Sequence, residues 1–377
     1  MKIAIVHDWL STYGGSERVL AEALALYPHA DLFALIHNPK NFRGTPIEGL
    51  KVKTTFLQNF PRVEKLYRAL LPFMPFAIES LDLHNYNLIL SFSHAVAHGV
   101  KTTSAQTHVS YISTPMRYAW HLQNDYLHLH RLDKPLLGAA ARGTLEMLRR
   151  WDRSVAKRAN YLLANSHWTA GNIRAAWGRE SHTIYPPVKI NRFAPAKERD
   201  DFYLHVARLV PYKMTAEIIR AFNELNLPLI IVGDGPEMPR LQKLAKDNIK
   251  LLGYQTDEVV TDLMNRARAF VYMAVEDFGI AMVEAQAAGC PVVAYGKGGA
   301  QEIVLDGETG LLFQEQTAGS MIEAVLNSRK TELNNKAASG NAARFSSKRF
   351  RDEFSTFMET VISSSRFRVP SLEQQLK

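Results

Sequence analysis

Two glutamates with seven residues between them, Glu276 and Glu284, bracket the densest chemical signal in the chain, VYMAVEDFGIAMVEAQAAGCPVVAYGKGGAQEIV. The turn EDFGI leads into an Ala-rich apolar pattern of helical period, so the carboxylates flank a helix start. A helix N-terminus offers unpaired backbone N–H groups and partial positive charge, and the amides of Phe278, Gly279 and Ile280 are placed to bind phosphate or sugar oxygens. A carboxylate beside such a site can accept hydrogen bonds from ribose or hexose hydroxyls. The alternative for Glu276 is a carboxylate that only offsets the helix dipole. A second signal, YLHVARLVPYKMTAEIIRAF, puts Arg208 and Lys213 on the loop and first turn after a strand. An Arg fork and a Lys point charge at a sheet's ligand edge can stabilise a departing diphosphate without a metal.

Weaker signals lie elsewhere. The turn HDWLSTYGGSERVL carries Gly14 and Gly15, which can bring backbone against a phosphate or sugar, although the spacing is not that of a dinucleotide site. GDGPE (233–237) follows a strand pattern but lacks a third glycine, and Pro236 reads as a first-turn helix residue. His94 follows the run LILSF and projects from a strand's carboxyl end, a placement equally open to structure and function. Arg117, Tyr118 and Trp120 suit a sugar face or a core. The pairs His94/His98 and His128/His130 lack accompanying carboxylates and there is no Cys cluster, so no metal site is expected.

These residues need α/β scaffolding. Strand-like runs at Ile3 to Val6, Leu32 to Ile36, Leu88 to Phe92, Val109 to Ile112 and Tyr161 to Ala164 alternate with helical stretches, among them Glu17 to Leu26. The Pro-rich, charged PPVKINRFAPAKERDD reads as a linker. A second alternation follows it, with strands at Phe202 to Val206, LPLIIVG, LLGY, AFVYMAV, PVVAYG and GLLF. Two doubly wound domains are therefore expected, with ligands at the strands' carboxyl ends and a cleft between the domains. The basic, aromatic stretch from Lys348 to Phe367 reads as a closing helix.

At 377 residues, 46% hydrophobic and 22% charged, the composition is that of a soluble two-domain protein. The apolar start meets His7 and Asp8 too early for a signal peptide, no run spans a bilayer, and Cys290 stands alone in an apolar run. A reducing, cytoplasmic setting is expected, with any membrane contact peripheral. The net charge of +8 is unevenly spread: residues 1–185 hold 21 Lys and Arg against 13 Asp and Glu, and the remainder hold 24 of each. The N-terminal half therefore faces something anionic or presents a basic solvated face. Nucleic acid ranks low, because the charge is not gathered into a binding motif. The segment KVKTTFLQNFPRVEKLYRALLPFMPF either lies on an anionic membrane or is buried.

In combination, the EX7E element with EDFGI, the run to TGLLF, ARLVPYK, LIIVGDGPE and GGSER resemble the retaining glycosyltransferases of family 4, across nearly the whole chain. The resemblance implies a GT-B fold, in the α/β class, of two facing Rossmann-like domains. Residues 1–187 would form the acceptor side and 188–347 the donor-nucleotide side, with a helix over 348–365 returning to the N-terminal domain. It implies that Arg208 and Lys213 hold the donor diphosphate, Glu284 the ribose, and Glu276 with the Phe278, Gly279 and Ile280 amides the hexose. The backbone beside Tyr254 would face the base, Gly14 and Gly15 the phosphates or transferring sugar, and His94 the donor sugar near the reacting carbon. Met214 and Thr215 depart from the polar and acidic residues common there. The implied reaction is metal-free, cofactor-free hexose transfer from UDP-glucose or GDP-mannose to a glycan or lipid-linked acceptor in polysaccharide assembly. Rival readings are a sugar-nucleotide epimerase or hydrolase of the same fold, and a noncatalytic nucleotide-sugar-binding protein.

Overall fold

The computed structural model describes residues 1–120, 123, 127, 135–195 and 198–364. The chain divides into two units: residues 1–185 with the segment from 350 onward, and residues 186–349.

The N-terminal unit is built on seven parallel strands in the order β3-β2-β1-β4-β5-β6-β7. These are β1 (Ile3–His7), β2 (Asp31–Ala34), β3 (Val52–Thr54), β4 (Leu88–Ser93), β5 (Thr107–Ile112), β6 (Tyr161–Ala164) and β7 (His182–Thr183). All six residues of β4 are buried, as expected for a central parallel strand covered on both faces. The edge strands β3 and β7, three and two residues long, escape the sequence reading because so short a run has no period to detect. One layer packs Val63, Tyr67, Leu71 and Met74 against the sheet. The other includes Phe350, Phe354, Met358 and Val361 of the closing helix Ser347–Ser364, with the Phe354 ring 6.4 Å from Phe92. The expected helix residue 365 lies outside the described residues, as do His128 and His130.

The C-terminal unit has six parallel strands in the order β10-β9-β8-β11-β12-β13. They are β8 (Tyr203–Val206), β9 (Leu229–Val232), β10 (Ile249–Leu251), β11 (Ala269–Tyr272), β12 (Val292–Tyr295) and β13 (Gly310–Phe313). Two expectations need correction. LLGY is mostly loop, because β10 begins at Ile249 and ends at Leu251, paired with Leu229 to Ile231. Pro236 lies in a turn ahead of the helix Met238–Leu244, whose first turn holds Pro239 instead. Backbone bonds of Leu209 to Asp234 (2.9 Å) and of Glu237 to Leu209 (3.2 Å) tie the 234–237 segment to the loop after β8.

The segment read as a linker is also anchored. Val188 bridges to Ser346, Ile190–Arg192 forms a 3-10 turn, and Arg199 donates to the carbonyls of Ala267 (2.7 Å) and Ala288. Pro and charge marked its irregular backbone but not these long-range partners. Cys290 is fully buried, and burial pushes its thiol up to about 12, as expected of a core side chain.

In each sheet the strand order reverses once, between β1 and β4 and between β8 and β11. Ligands of open α/β sheets bind outside the carboxyl ends of the strands at such a reversal. Asp8 and His94 follow β1 and β4, while Arg208 and Glu276 follow β8 and β11.

Candidate active site

At the reversal in the C-terminal unit, β8 runs into a loop carrying Arg208 and then a 3-10 turn, Pro211–Lys213. Met214 takes the left-handed conformation (φ +57°) to redirect the chain into the helix Thr215–Leu225. This brings the Lys213 ammonium onto Glu276 Oε1, which also accepts from the Tyr272 hydroxyl at 2.5 Å. Both charged side chains are largely enclosed, at 14% and 10% exposed. An ammonium has three donors, so Lys213 can hold Glu276 and still donate to a phosphate oxygen.

Beneath this pair lies fully buried His205. Its Nδ1 is 3.0 Å from the Val271 carbonyl and its Nε2 is 3.2 Å from Thr215 Oγ1. A carbonyl can only accept, so Nδ1 carries the proton and Nε2 accepts from the hydroxyl. Burial lowers the imidazole to about 4, with the Lys213 charge acting in the same direction, so the ring stays neutral. Its ring centroid is 5.3 Å from that of Tyr272, the residue that holds Glu276.

The expected helix start is present. Gly279 (φ +108°) caps the helix Ile280–Ala287, and Phe278 is buried with its ring 5.4 Å from Phe345. Glu284 is buried in the same helix and accepts from Arg192 Nη2 at 2.8 Å, while Arg192 Nη1 lies 2.9 Å from Asp257. Arg208 is exposed, and its side chain makes no hydrogen bond among the described residues. Tyr254 is 80% exposed after β10.

The N-terminal unit has its own cluster at the β1/β4 reversal. Asp8, fully buried, accepts backbone N–H bonds from His94 (2.6 Å), Ala95 (2.9 Å), Val96 (2.6 Å) and Ala97 (2.6 Å). Its Oδ2 also lies 3.1 Å from His94 Nδ1. Burial alone would raise the Asp8 carboxyl, but the neighbouring His94 and His7 and the backbone donors outweigh it and hold it below its usual range. His94 itself is 24% exposed, with Trp9 edge-on at 4.5 Å. Gly14 caps the helix Gly15–Leu26, and its N–H donates to Glu17 Oε2 at 2.9 Å. That amide is committed within the protein, and Gly15 is the exposed member of the pair.

His98 belongs to a separate buried network. Its Nε2 is 3.2 Å from Asp152, which accepts from the indoles of Trp120 (2.8 Å) and Trp177 (2.6 Å). Trp120 is thus partly buried against the core of this unit, and its indole N–H is engaged there.

The structure brings Lys213 together with Glu276, and Glu284 together with Arg192. Sequence reasoning missed Asp8, Arg192, His205 and Tyr272. For Asp8 and Tyr272 a signal existed, since each lies at or just past the end of an apolar strand run on the ligand side of its sheet.

Residues 188–344 match the family model described as glycosyl transferases group 1. Among curated relatives, the chain is 32% identical over 209 residues to a GDP-mannose-dependent alpha-(1-6)-phosphatidylinositol monomannoside mannosyltransferase of Mycolicibacterium smegmatis, covering 46% of this chain and 54% of that one. It is 30% identical over 153 residues to an uncharacterized glycosyltransferase of Methanocaldococcus jannaschii, covering 39% and 44%. The chain spans about half the length of the curated relatives it matches. Among solved structures, HepE of Anabaena in complex with UDP aligns over 96% of this chain and 100% of its own, with a TM-score of 0.68 at 20% identity. Sucrose-phosphate synthase of Thermosynechococcus elongatus aligns over 97% and 100%, with a TM-score of 0.72 at 18% identity. Residues 188–344 are thus similar to the group 1 glycosyltransferases, and the two parallel sheets of the chain have the GT-B fold.

Proposed function

We propose that this chain is a retaining, metal-independent hexosyltransferase that moves a hexose from a nucleoside-diphosphate sugar to a hydroxyl of a glycan or lipid-linked acceptor on the cytoplasmic side of a membrane. The observation that carries this reading is the Lys213–Glu276 pair beside the Gly279 cap, at the strand reversal of the C-terminal unit. A cation for phosphate, a carboxylate for hydroxyls and the backbone amides of a helix start are the groups a sugar diphosphate requires. Two donors have support. The Mycolicibacterium relative is named for GDP-mannose and for phosphatidylinositol monomannoside, and the Anabaena neighbour was solved with UDP and glucose.

In this reading Lys213 and Arg208 hold the diphosphate, Glu276 and the 278–280 amides the hexose, and Glu284 the ribose. As the bond from the anomeric carbon to the phosphate oxygen breaks, the acceptor oxygen bonds to that carbon on the same face. The departing phosphate oxygen takes the acceptor's proton, so protons and charge balance with no other reactant. The two cations stabilise charge that develops on the leaving diphosphate. His94 contacts the donor sugar near the reacting carbon.

The test begins with a thermal-shift panel of UDP, GDP and ADP and their sugars, since a ligand bound only by the native state raises the melting temperature. Incubation of the stabilising donor with membrane extract then allows the anomeric configuration of the product to be read by NMR. Inversion would overturn the retaining mechanism, and donor breakdown at full rate without acceptor would replace transfer by hydrolysis or epimerisation.

A further inference from the structure

Every exposed phenylalanine among the described residues lies between positions 56 and 76. Phe56 (45%), Phe60 (44%), Phe73 (53%) and Phe76 (65%) are joined there by Leu66 (52%). The segment is helical from Val63 to Glu79, through Val63–Leu66, the 3-10 stretch Tyr67–Phe73 and Met74–Glu79. It has two apolar faces. Val63, Tyr67, Leu71 and Met74, spaced by four, four and three residues, point into the core. Leu66, Ala69, Phe73 and Phe76, spaced by three, four and three, form a second stripe, and all are exposed. An amphipathic surface helix carries one apolar stripe and a polar outer face, so the second stripe needs an occupant.

Charge selects that occupant. Arg62, Lys65 and Arg68 are exposed in the same stretch against the single acid Glu64, and none of the three forms an ion pair among the described residues. Aromatic and aliphatic side chains interleaved with unneutralised cations match a bilayer whose headgroups are anionic and whose acyl boundary accepts apolar groups to a shallow depth. We propose that the outward face of residues 56–76 docks on an anionic membrane surface. No helix among the described residues is long and apolar enough to cross the bilayer, so the contact is made in the interfacial plane. The same helix touches the candidate site. Its buried Tyr67 lies 5.3 Å from the Trp9 ring, and Trp9 is 4.5 Å from His94. Docking by this face would hold His94 near the surface from which a lipid-linked acceptor is drawn, a consequence that rests on the transferase reading.

The test uses the full chain and vesicles of phosphatidylcholine with or without phosphatidylglycerol. The wild type should sediment with anionic vesicles and not with neutral ones, and binding should weaken as salt rises from about 0.1 to 1 M, where the Debye length falls from roughly 10 to 3 Å. The Phe73→Ser/Phe76→Ser protein should bind at least about tenfold more weakly, since each ring loses its burial in the acyl boundary. Because a serine variant can also fail by misfolding, Phe73→Trp supplies a gain of signal, a blue-shifted emission with anionic vesicles only. Equal binding to both vesicle types, no binding, or an unshifted indole overturns the proposal. So does a wild-type dimer in sedimentation velocity that the serine variant abolishes, which would make a second copy the occupant. Vesicle binding needs no turnover: its loss with donor binding intact removes the membrane face alone, and a silent donor panel with vesicle binding intact removes the transferase reading alone.

Discussion

Asp8 holds a carboxylate where no solvent reaches it, and four backbone amides with one imidazole offset its desolvation. Asp8→Ala leaves those donors without an acceptor and should cost on the order of 3–5 kcal/mol, the scale for breaking a buried charged contact. Chemical denaturation checks it, and a loss under about 1 kcal/mol would show that the turn holds without its anchor. The sign with pH follows from the depressed carboxyl. The stabilisation is complete above the ordinary value of 3.8 and is lost only as pH falls through the lower folded value. The gap between wild type and variant should therefore be flat near neutrality and close in strong acid. At the other site, Lys213→Ala should lower kcat/KM by roughly 10²–10³-fold, the scale for losing one strong transition-state donor. Glu276→Gln should instead spare the affinity for free nucleoside diphosphate, because it releases Lys213 to the phosphate, while turnover falls. Calorimetry with UDP and GDP beside rate measurements separates the two, and equal loss of nucleotide affinity in both variants would mean that Lys213 and Glu276 do not divide phosphate and sugar between them. Glu276, Lys213 and His94 were legible because each is a polar group just past an apolar run. Asp8's role was not, because its partners lie 86 to 89 residues away and only the parallel pairing of β1 with β4 brings them together. Arg192 was hidden for a similar reason, 92 residues from Glu284.

The helix Ile280–Ala287 can present its first amides only if the chain turns sharply before it, and two glycines make that turn possible. Gly279 adopts φ +108°, a conformation that side chains rarely take, and a Cβ there would also meet the Met282 side chain. Gly299 packs so closely on the Phe278 carbonyl that a Cβ would overlap backbone, which cannot swing aside. Its own N–H bonds to the Glu276 carbonyl at 2.8 Å, so any shift is passed to the glutamate. Gly279→Ala should cost about 1–3 kcal/mol, the range for a residue held in a sparsely populated backbone region. Gly299→Ala should cost at least as much and weaken donor binding as well, because it displaces Glu276 and the 278–280 amides together. Melting curves with and without nucleotide distinguish the effects. A Gly299→Ala protein with wild-type nucleotide affinity would mean that this backbone contact does not set the site. At this scale the sequence was readable where elements are long and apolar, as in β4 and the helix Gly15–Leu26. It was opaque where a strand was two or three residues long, and at 186–201, whose composition signals loop but whose Arg side chains are bound across the C-terminal unit.

Each unit keeps a neutral histidine in its core. Burial lowers His108 to about 3 in the N-terminal unit and His205 to about 4 in the C-terminal one, and His7, also in the N-terminal unit, is lowered chiefly by burial. The unfolded chain takes up a proton at each of these rings near pH 6.5, whereas the folded chain does so only at lower pH. The stabilisation is therefore complete above pH 6.5 and declines as pH falls, until the folded value is reached. Each ring contributes a slope of about 1.4 kcal/mol per pH unit once the unfolded form is fully protonated. With His7, His37 and His108 lowered by burial in residues 1–185 against His205 in residues 186–349, the N-terminal unit should weaken more steeply and fail first in acid. The tryptophans make this separable, because Trp9, Trp120, Trp151, Trp168 and Trp177 all lie in residues 1–185. On acidification from pH 7 the shift in tryptophan emission, which reports the N-terminal unit alone, should precede the main loss of far-ultraviolet dichroism, which reports both. His108→Gln should move the emission midpoint to lower pH and leave the later dichroism step in place. Coincident transitions would mean that the units unfold as one, and an emission midpoint unmoved by His108→Gln would remove this histidine as a cause of the acid lability.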